Sequence, residues 1–200
     1  MQALLNDIDR NGWGMMLGGC EQGESIRLRN ECEKACQEGD FKQAGVGRAE
    51  RLKIDSEIRK DQILWLLSGP LFPEQEAYQV KLDLLRLALN QRFILGLFDF
   101  EGHFALYPEG GFYKPHLDCH GGSNRRVMTV ILYLNENWKS GDGGELKLWT
   151  TCGKKEGSFV LIEPRIGTLV CFPSADYWHE VLPTVNSRMS ITGWFRQRQI

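Results

Sequence analysis

The stretch from Phe112 to Gly122 reads FYKPHLDCHGG and holds two of the chain's four histidines, His116 and His120. His116 and Asp118 bracket Leu117. An imidazole and a carboxylate at this spacing offer two metal donors if they point the same way. A strand achieves that, because side chains at i and i+2 share one face. Pro115 opposes a helix interior here, and HFALY upstream has strand composition. His116 and Asp118 would then project together while Leu117 turns away. A lone H-x-D also occurs in ordinary polar loops, so a site needs a third donor. The one later histidine beyond His120 is His179, in DYWHEVLP, next to strand-like GTLVCF. A neighbouring strand could bring it to the pair. Two imidazoles and a carboxylate on one face of a metal ion leave the other face open to further ligands.

Nine residues after His179 stands Arg188, at the head of RMSITGWF. An arginine fork in a β-barrel can hold a carboxylate through paired, charge-assisted hydrogen bonds. Standing alone, it would read as a surface residue at a strand start. Behind H-x-D and a distal histidine, it reads as an anion clamp beside a metal. By the same reasoning His120 is a bystander, His103 a turn residue and Cys119 a small packing residue facing away from the pair.

These residues need a scaffold. The 200 residues suit one domain, 1–200, and 42% hydrophobic content is enough for a sizeable core. Residues 2–10 have helical character that stops at Gly12, and WGMML reads as a short strand. Ser25 is placed to cap a helix that runs to about Glu38 and ends at Gly39. From Phe41 to Asp61 the chain is polar and reads as a loop, with 41–57 suited to a substrate lid. After Pro73, Tyr78, Leu82, Leu85 and Leu89 recur at helical spacing, with Gln75, Lys81 and Arg86 on the other side. From Phe93 onward short strand-like runs alternate with turn signals: FILGLFDF, HFALY, VMTVILYL, GELKLW, SFVLI, GTLVCF and RMSITGWF. The expectation is an α+β fold. A helical flank with a substrate loop, 1–92, supports a double-stranded β-helix, or jelly roll, over 93–198.

A net charge of −2 gives no electrostatic grip on nucleic acid or an anionic membrane. No apolar run reaches transmembrane length, and the start MQALLNDIDRNGW is acidic where a signal peptide would be basic. The six cysteines form no C-x-x-C pair, which opposes a structural zinc knuckle. A reduced, cytoplasmic protein is expected. One rival is a zinc hydrolase using His116, His120 and His179. It lacks a glutamate between the first two, and Pro115, Gly121 and Gly122 oppose the helix it needs. Another rival is a non-catalytic jelly-roll binding module.

With HLD, His179 and Arg188 in this order, the chain resembles the Fe(II)- and 2-oxoglutarate-dependent dioxygenases. It is most similar to the prolyl 4-hydroxylase branch that contains the hypoxia-inducible-factor prolyl hydroxylases and their small bacterial relatives. YPEGGFYKPHLD, RVMTVILYLNENW, GGELKLW, IEPRIGTLVCF and RMSITGWF follow that branch's order, and IRKDQILWL extends the likeness upstream. The resemblance implies Fe(II) on His116, Asp118 and His179, with 2-oxoglutarate and O2 as cosubstrates and ascorbate as a helper. It implies that Arg188 and the Tyr133 hydroxyl hold the distal carboxylate of 2-oxoglutarate. Tyr107 would bond the cosubstrate near the iron, Thr192 and Trp194 would line the pocket, and Arg126, Arg59 and Asp61 would meet the substrate or organise its entrance. The implied reaction hydroxylates a prolyl residue in a protein, with the translation machinery as a candidate source, and releases succinate and CO2. A free amino acid or another small molecule is the alternative substrate. No nucleic-acid or membrane partner is implied, and a monomer is expected. Loop lengths either side of HLD depart from the branch by one residue each, which bears on substrate choice.

Overall fold

A computed structural model describes residues 1–47, 53–66, 73–119 and 125–198. The chain opens with α1 (Gln2–Asn11), β1 (Gly14–Met16) and α2 (Gln22–Glu38). Then come β2 (Lys42–Gln43), β3 (Gln62–Trp65) and α3 (Pro73–Phe93). The remainder is strand: β4 (Leu97–Tyr107), β5 (Tyr113–His116), β6 (Arg126–Tyr133), β7 (Leu146–Trp149), β8 (Phe159–Ile162), β9 (Leu169–Pro173), β10 (His179–Val181) and β11 (Arg188–Gln197). Among the described residues, no helix is long and apolar enough to cross a membrane.

Two antiparallel sheets face each other as a jelly roll. The larger has the order β1-β9-β6-β11-β4-β3-β2 and the smaller β5-β10-β7-β8. Strand alternation sorts the side chains of the larger sheet into two layers. Met128, Val130 and Leu132 of β6, Cys171 of β9 and Ile191 and Phe195 of β11 pack outward against Leu4, Leu28, Leu82, Leu85 and Leu89 of the helices. Ile131 and Tyr133, Val170 and Phe172 point inward and meet Leu146, Leu148 and Ile162 of the smaller sheet. The helical layer therefore stiffens the larger sheet from behind, and the space between the sheets is left for chemistry.

Several local expectations need correction. In the flank 1–92 the short strand expected from WGMML is β1, but β2 and β3 are strands beyond the expected helix and loop, so the larger sheet is extended at both edges. Part of the 41–57 stretch lies outside the described residues. The described part carries β2 and a bridge between Val46 and Lys53. Ser25 does not cap α2: Glu21 does, in a reciprocal capping box with Glu24, and Ser25 is buried one turn in. FILGLFDF and HFALY do not form two strands but merge into β4. Gly102 is a close-approach residue rather than a turn: a Cβ there would lie 2.5 Å from the Phe100 ring. Its partner on β11, Gly193, is under the same constraint. On α3 the four expected core residues are buried, yet the opposite side also exposes Val80, Leu84 and Leu87.

Candidate active site

β5 and β10 pair with His116 directly opposite His179, and their ring centroids lie 4.2 Å apart. β5 ends at His116, so strand alternation does not aim Asp118. A turn does so: the backbone N–H groups of Asp118 and Cys119 both donate to the Ser174 carbonyl, at 3.1 Å each. The Thr129 hydroxyl of β6 then donates to Asp118 Oδ2 at 2.7 Å and meets Ser174 Oγ at 2.9 Å. Leu117, expected to turn away, lines the same cavity. One donor atom from each of His116, Asp118 and His179 falls within a 4.8 Å cluster.

The backbone sets the imidazole tautomers. His116 Nδ1 donates to Lys114 O at 2.8 Å, and His179 Nδ1 donates to Tyr177 O at 3.0 Å. Each ring then keeps its lone pair on Nε2. Those two atoms lie 3.7 and 3.5 Å from the Asp118 carboxylate. Burial, reinforced by His179, pushes the His116 pKa down to about 3. Burial opposes ionisation of Asp118, but His179, His116 and the Thr129 hydroxyl outweigh it and hold its pKa near about 2. A neutral imidazole and an ionised carboxylate are the forms that bind metal.

A ladder of aromatic and charged groups supports His116. Tyr113 stacks on it with centroids 3.6 Å apart, and the Arg59 guanidinium covers the far face of Tyr113 at 4.1 Å. Asp61 holds Arg59 through both oxygens, at 2.6 and 2.5 Å. Burial works against the Arg59 charge, but Asp61 more than compensates and raises its pKa. Asp61 is 0% exposed and absent from the cavity wall, so the expectation that it meets substrate at an entrance is corrected. It anchors Arg59, which does line the cavity.

Arg188 lines the same cavity. It is 2% exposed, and its register partner on β4 is Tyr107. Nε donates to Gly144 O at 2.9 Å and Nη1 to Ser190 Oγ at 3.3 Å. The guanidinium carbon lies 4.8 Å from the Tyr107 ring centre and 5.0 Å from that of Tyr133. Among the described residues no carboxylate lies within ion-pair distance of it. The Tyr133 hydroxyl beside it is sealed and makes no hydrogen bond of normal geometry. Burial pushes the Tyr133 pKa up to about 12, with Arg188 pulling the other way. Burial likewise raises that of Tyr107.

β11 carries the remaining wall. Thr192 and Trp194 line the cavity, two and three alternations along from Arg188. Arg126 stacks 3.3 Å from the Trp194 ring centre and pairs with Glu101 at 2.5 Å. His103 is not a turn residue: it lies within β4, buried against Trp65 and Trp194. His120 lies outside the described residues. The site occupies a cavity of about 1320 Å³. Sequence reasoning does not reach Thr129, Tyr113, Trp65 or His103 as site residues. The one signal for Thr129 is an aliphatic hydroxyl in the otherwise mostly apolar run VMTVILYL.

The sequence profile of the 2OG-Fe(II) oxygenase superfamily matches residues 102–196. The human prolyl hydroxylase EGLN3 is 31% identical over 194 residues, which cover 92% of this chain and 75% of that protein. A crystal structure of a Pseudomonas putida prolyl-4-hydroxylase is 38% identical with a TM-score of 0.87, covering 99% of each chain. A prolyl hydroxylase from Trichoplax adhaerens, solved with a hypoxia-inducible-factor oxygen degradation domain peptide, is 27% identical with a TM-score of 0.84. It matches over 98% of this chain and 88% of its own. The chain belongs to the 2OG-Fe(II) oxygenase superfamily, within its prolyl hydroxylase branch. It spans only 13% of the Caenorhabditis elegans hypoxia-inducible factor prolyl hydroxylase and 37% of mouse Egl nine homolog 1.

The residues fit the group that the family uses. Two Nε2 lone pairs and an ionised carboxylate are a donor set for Fe(II). A buried guanidinium with no counter-ion among the described residues, next to the sealed Tyr133 hydroxyl, suits a ligand that brings its own carboxylate.

Proposed function

We propose that this chain is a protein prolyl hydroxylase that uses Fe(II), 2-oxoglutarate and O2. The observation that carries the reading is Arg188: a buried cation with no carboxylate in ion-pair distance among the described residues, lining the same cavity as His116, Asp118 and His179. Burying an uncompensated charge costs several kcal/mol, on the order of what a paired carboxylate returns. A cosubstrate anion supplies that partner when bound.

His116, Asp118 and His179 would hold the iron. Arg188, with the Tyr133 hydroxyl, would orient the distal carboxylate of 2-oxoglutarate, and Tyr107 would face the same ligand nearer the metal. Fe(II) and 2-oxoglutarate with O2 supply oxidation of a substrate C–H bond, with succinate and CO2 as coproducts. The chain itself sets ligand protonation through the Lys114 and Tyr177 carbonyls and fixes Asp118 with Thr129. Apolar Ile131 and Leu146 and the Trp194 indole keep water from the reacting carbon. Trp194, Arg126 and Arg59 would meet the substrate, while Asp61 positions Arg59. Residues 93–198 would form the catalytic core of a single domain acting as a cytoplasmic monomer, with ascorbate keeping the iron ferrous.

Peptide recognition is supported by the Trichoplax relative, whose structure holds a peptide. A component of the translation machinery is a candidate target, in keeping with the resemblance set out above. The test is to incubate the protein with a cell lysate, Fe(II), 2-oxoglutarate and O2. Succinate should form, and prolyl peptides should gain one oxygen, read by mass spectrometry. Oxygen gain confined to free amino acids or other small molecules would overturn the peptide assignment. Absence of succinate would overturn the enzyme.

A further inference from the structure

His103 occupies the cavity wall at the middle of β4, with Trp65 of β3 and Thr192 of β11 as its register partners. It is 4% exposed. Its ring packs against two indoles that also touch each other, edge-on to Trp65 at 5.0 Å and tilted against Trp194 at 5.4 Å, with the indoles 6.4 Å apart. An apolar residue could fill this space. An imidazole brings two nitrogens that need partners, and the pattern of partners is informative.

Nδ1 is sealed and has no hydrogen-bond partner. Nε2 makes no protein hydrogen bond either, but it is not sealed, so it is the nitrogen open to the cavity. The ring is neutral: burial, then Arg59 and Arg126, drive its pKa down to about 3, against a smaller pull from Asp118. A neutral imidazole has one proton to place. On Nδ1 it would be a sealed N–H with no acceptor, and orphaned buried N–H groups are rarer in folded proteins than under-used acceptors. On Nε2 it faces the cavity and waits for an acceptor.

We propose that His103 is a specificity residue whose Nε2–H donates to a carbonyl oxygen of the peptide substrate, while Trp65 and Trp194 hold the apolar ring beside that carbonyl. This rests on the prolyl hydroxylase reading and deepens it. A peptide provides both features in adjacent atoms: a saturated ring for the indole faces and a main-chain oxygen for the donor. A small apolar substrate would leave Nε2–H unpaired when water is expelled, which penalises it. His103 thus favours substrates that carry an amide carbonyl next to the oxidised ring.

The experiment has two arms, both on the full chain. Long-range proton–nitrogen NMR on the protein with Zn(II), a diamagnetic stand-in for iron, should find His103 as the Nε2–H tautomer. A proton on Nδ1 would overturn the proposal without touching the enzyme assignment. The second arm uses the prolyl peptide recovered by the lysate screen. His103→Phe, or His103→Leu if the larger ring distorts the wall, should raise the peptide KM about tenfold, equivalent to about 1.4 kcal/mol. His103→Gln, whose amide can donate from a similar reach, should recover most of that loss. Apolar and amide variants with the same peptide KM as the wild type would overturn the donor role alone. A KM change confined to 2-oxoglutarate would overturn it too, by moving His103 to the cosubstrate. A wild type that hydroxylates no peptide would overturn the prolyl reading and this proposal with it.

Discussion

Arg188 and Arg59 both line the cavity, Arg188 buried and Arg59 half-buried, and they differ in how their charge is met. Arg59 has Asp61, bound through both oxygens inside the protein. Arg188 has a carbonyl, a hydroxyl and two aromatic rings. The first arrangement is structural, and the second is completed by a ligand. Two predictions separate them. Arg188→Ala should raise the 2-oxoglutarate requirement by about 100-fold or more, since a charge-assisted bond contributes about 1.5–3 kcal/mol and the fork makes two. Arg188→Lys should restore only part, because an ammonium is a point donor. Titrating 2-oxoglutarate decides this, and an unchanged requirement would remove Arg188 from the cosubstrate site. Asp61→Ala should act on the fold instead. It strands a half-buried guanidinium, a change that costs up to the roughly 3–5 kcal/mol of a broken buried pair, and it frees the Tyr113 ring that backs His116. Urea denaturation should show that loss. A shift below about 1 kcal/mol would mean that Arg59 finds solvent once its partner is gone.

Among the elements, α3 and β11 were the most legible from sequence, for a shared reason: a single period runs their whole length. Tyr78, Leu82, Leu85 and Leu89 keep helical spacing and are buried together. Arg188, Ser190, Thr192 and Trp194 keep the strand period and share the inner face of the larger sheet. The triad was legible through residue types alone, since few side chains can serve as its donors. The turn that aims Asp118 was not legible, because its partners Ser174 and Thr129 are far away in sequence and carry no motif. Short β1, β2 and β3 were equally hard to place, since pairing at a sheet edge is decided by the tertiary fold. The turn expected at His103 is strand instead, and its neighbour Gly102 serves close packing. Gly102 and Gly193 in fact face each other so that Phe100 can lie across them, and a Cβ on Gly193 would come within 2.3 Å of Phe100 Cζ and 2.6 Å of the Glu101 carbonyl. The carbonyl is backbone and cannot swing away. Gly193→Ala should therefore force β4 and β11 apart and cost about 1–3 kcal/mol, the usual range for overpacking. It should also loosen Thr192 and Trp194, its neighbours on the cavity side. Thermal melting and the peptide KM should move together, and a stable variant with wild-type kinetics would show that the strands absorb the methyl group.

At the scale of the molecule, apolar stability and polar chemistry sit on opposite faces of one sheet. The outer face binds the helices through a continuous core, while the inner face carries His103 and Arg188, buried polar groups that cost free energy to keep dry, opposite His116 and His179 of the smaller sheet. That division lets the site hold groups in protonation states they would not adopt in water, and it makes stability depend on pH. His103 gives the cleanest case, because no expected metal ligand touches its ring. Its pKa falls from the ordinary 6.5 to about 3 in the folded state. Above pH 6.5 it is neutral in both states and contributes no slope. As pH falls from 6.5 toward 3, the unfolded chain takes up a proton that the native ring refuses. The unfolded state then binds more protons, so stability must fall with pH across that window and level off below it. Burial is the main cause of the low native value, with Arg59 and Arg126 adding to it and Asp118 pulling the other way. The metal-free wild type should therefore lose thermal stability steadily from pH 6.5 to 4. His103→Phe should show a shallower slope over the same interval, with what remains belonging to other groups whose pKa falls on folding, His116 and Glu24 among them. Equal slopes in the two proteins would mean that His103 reaches solvent or a partner easily enough to accept its proton in the folded state.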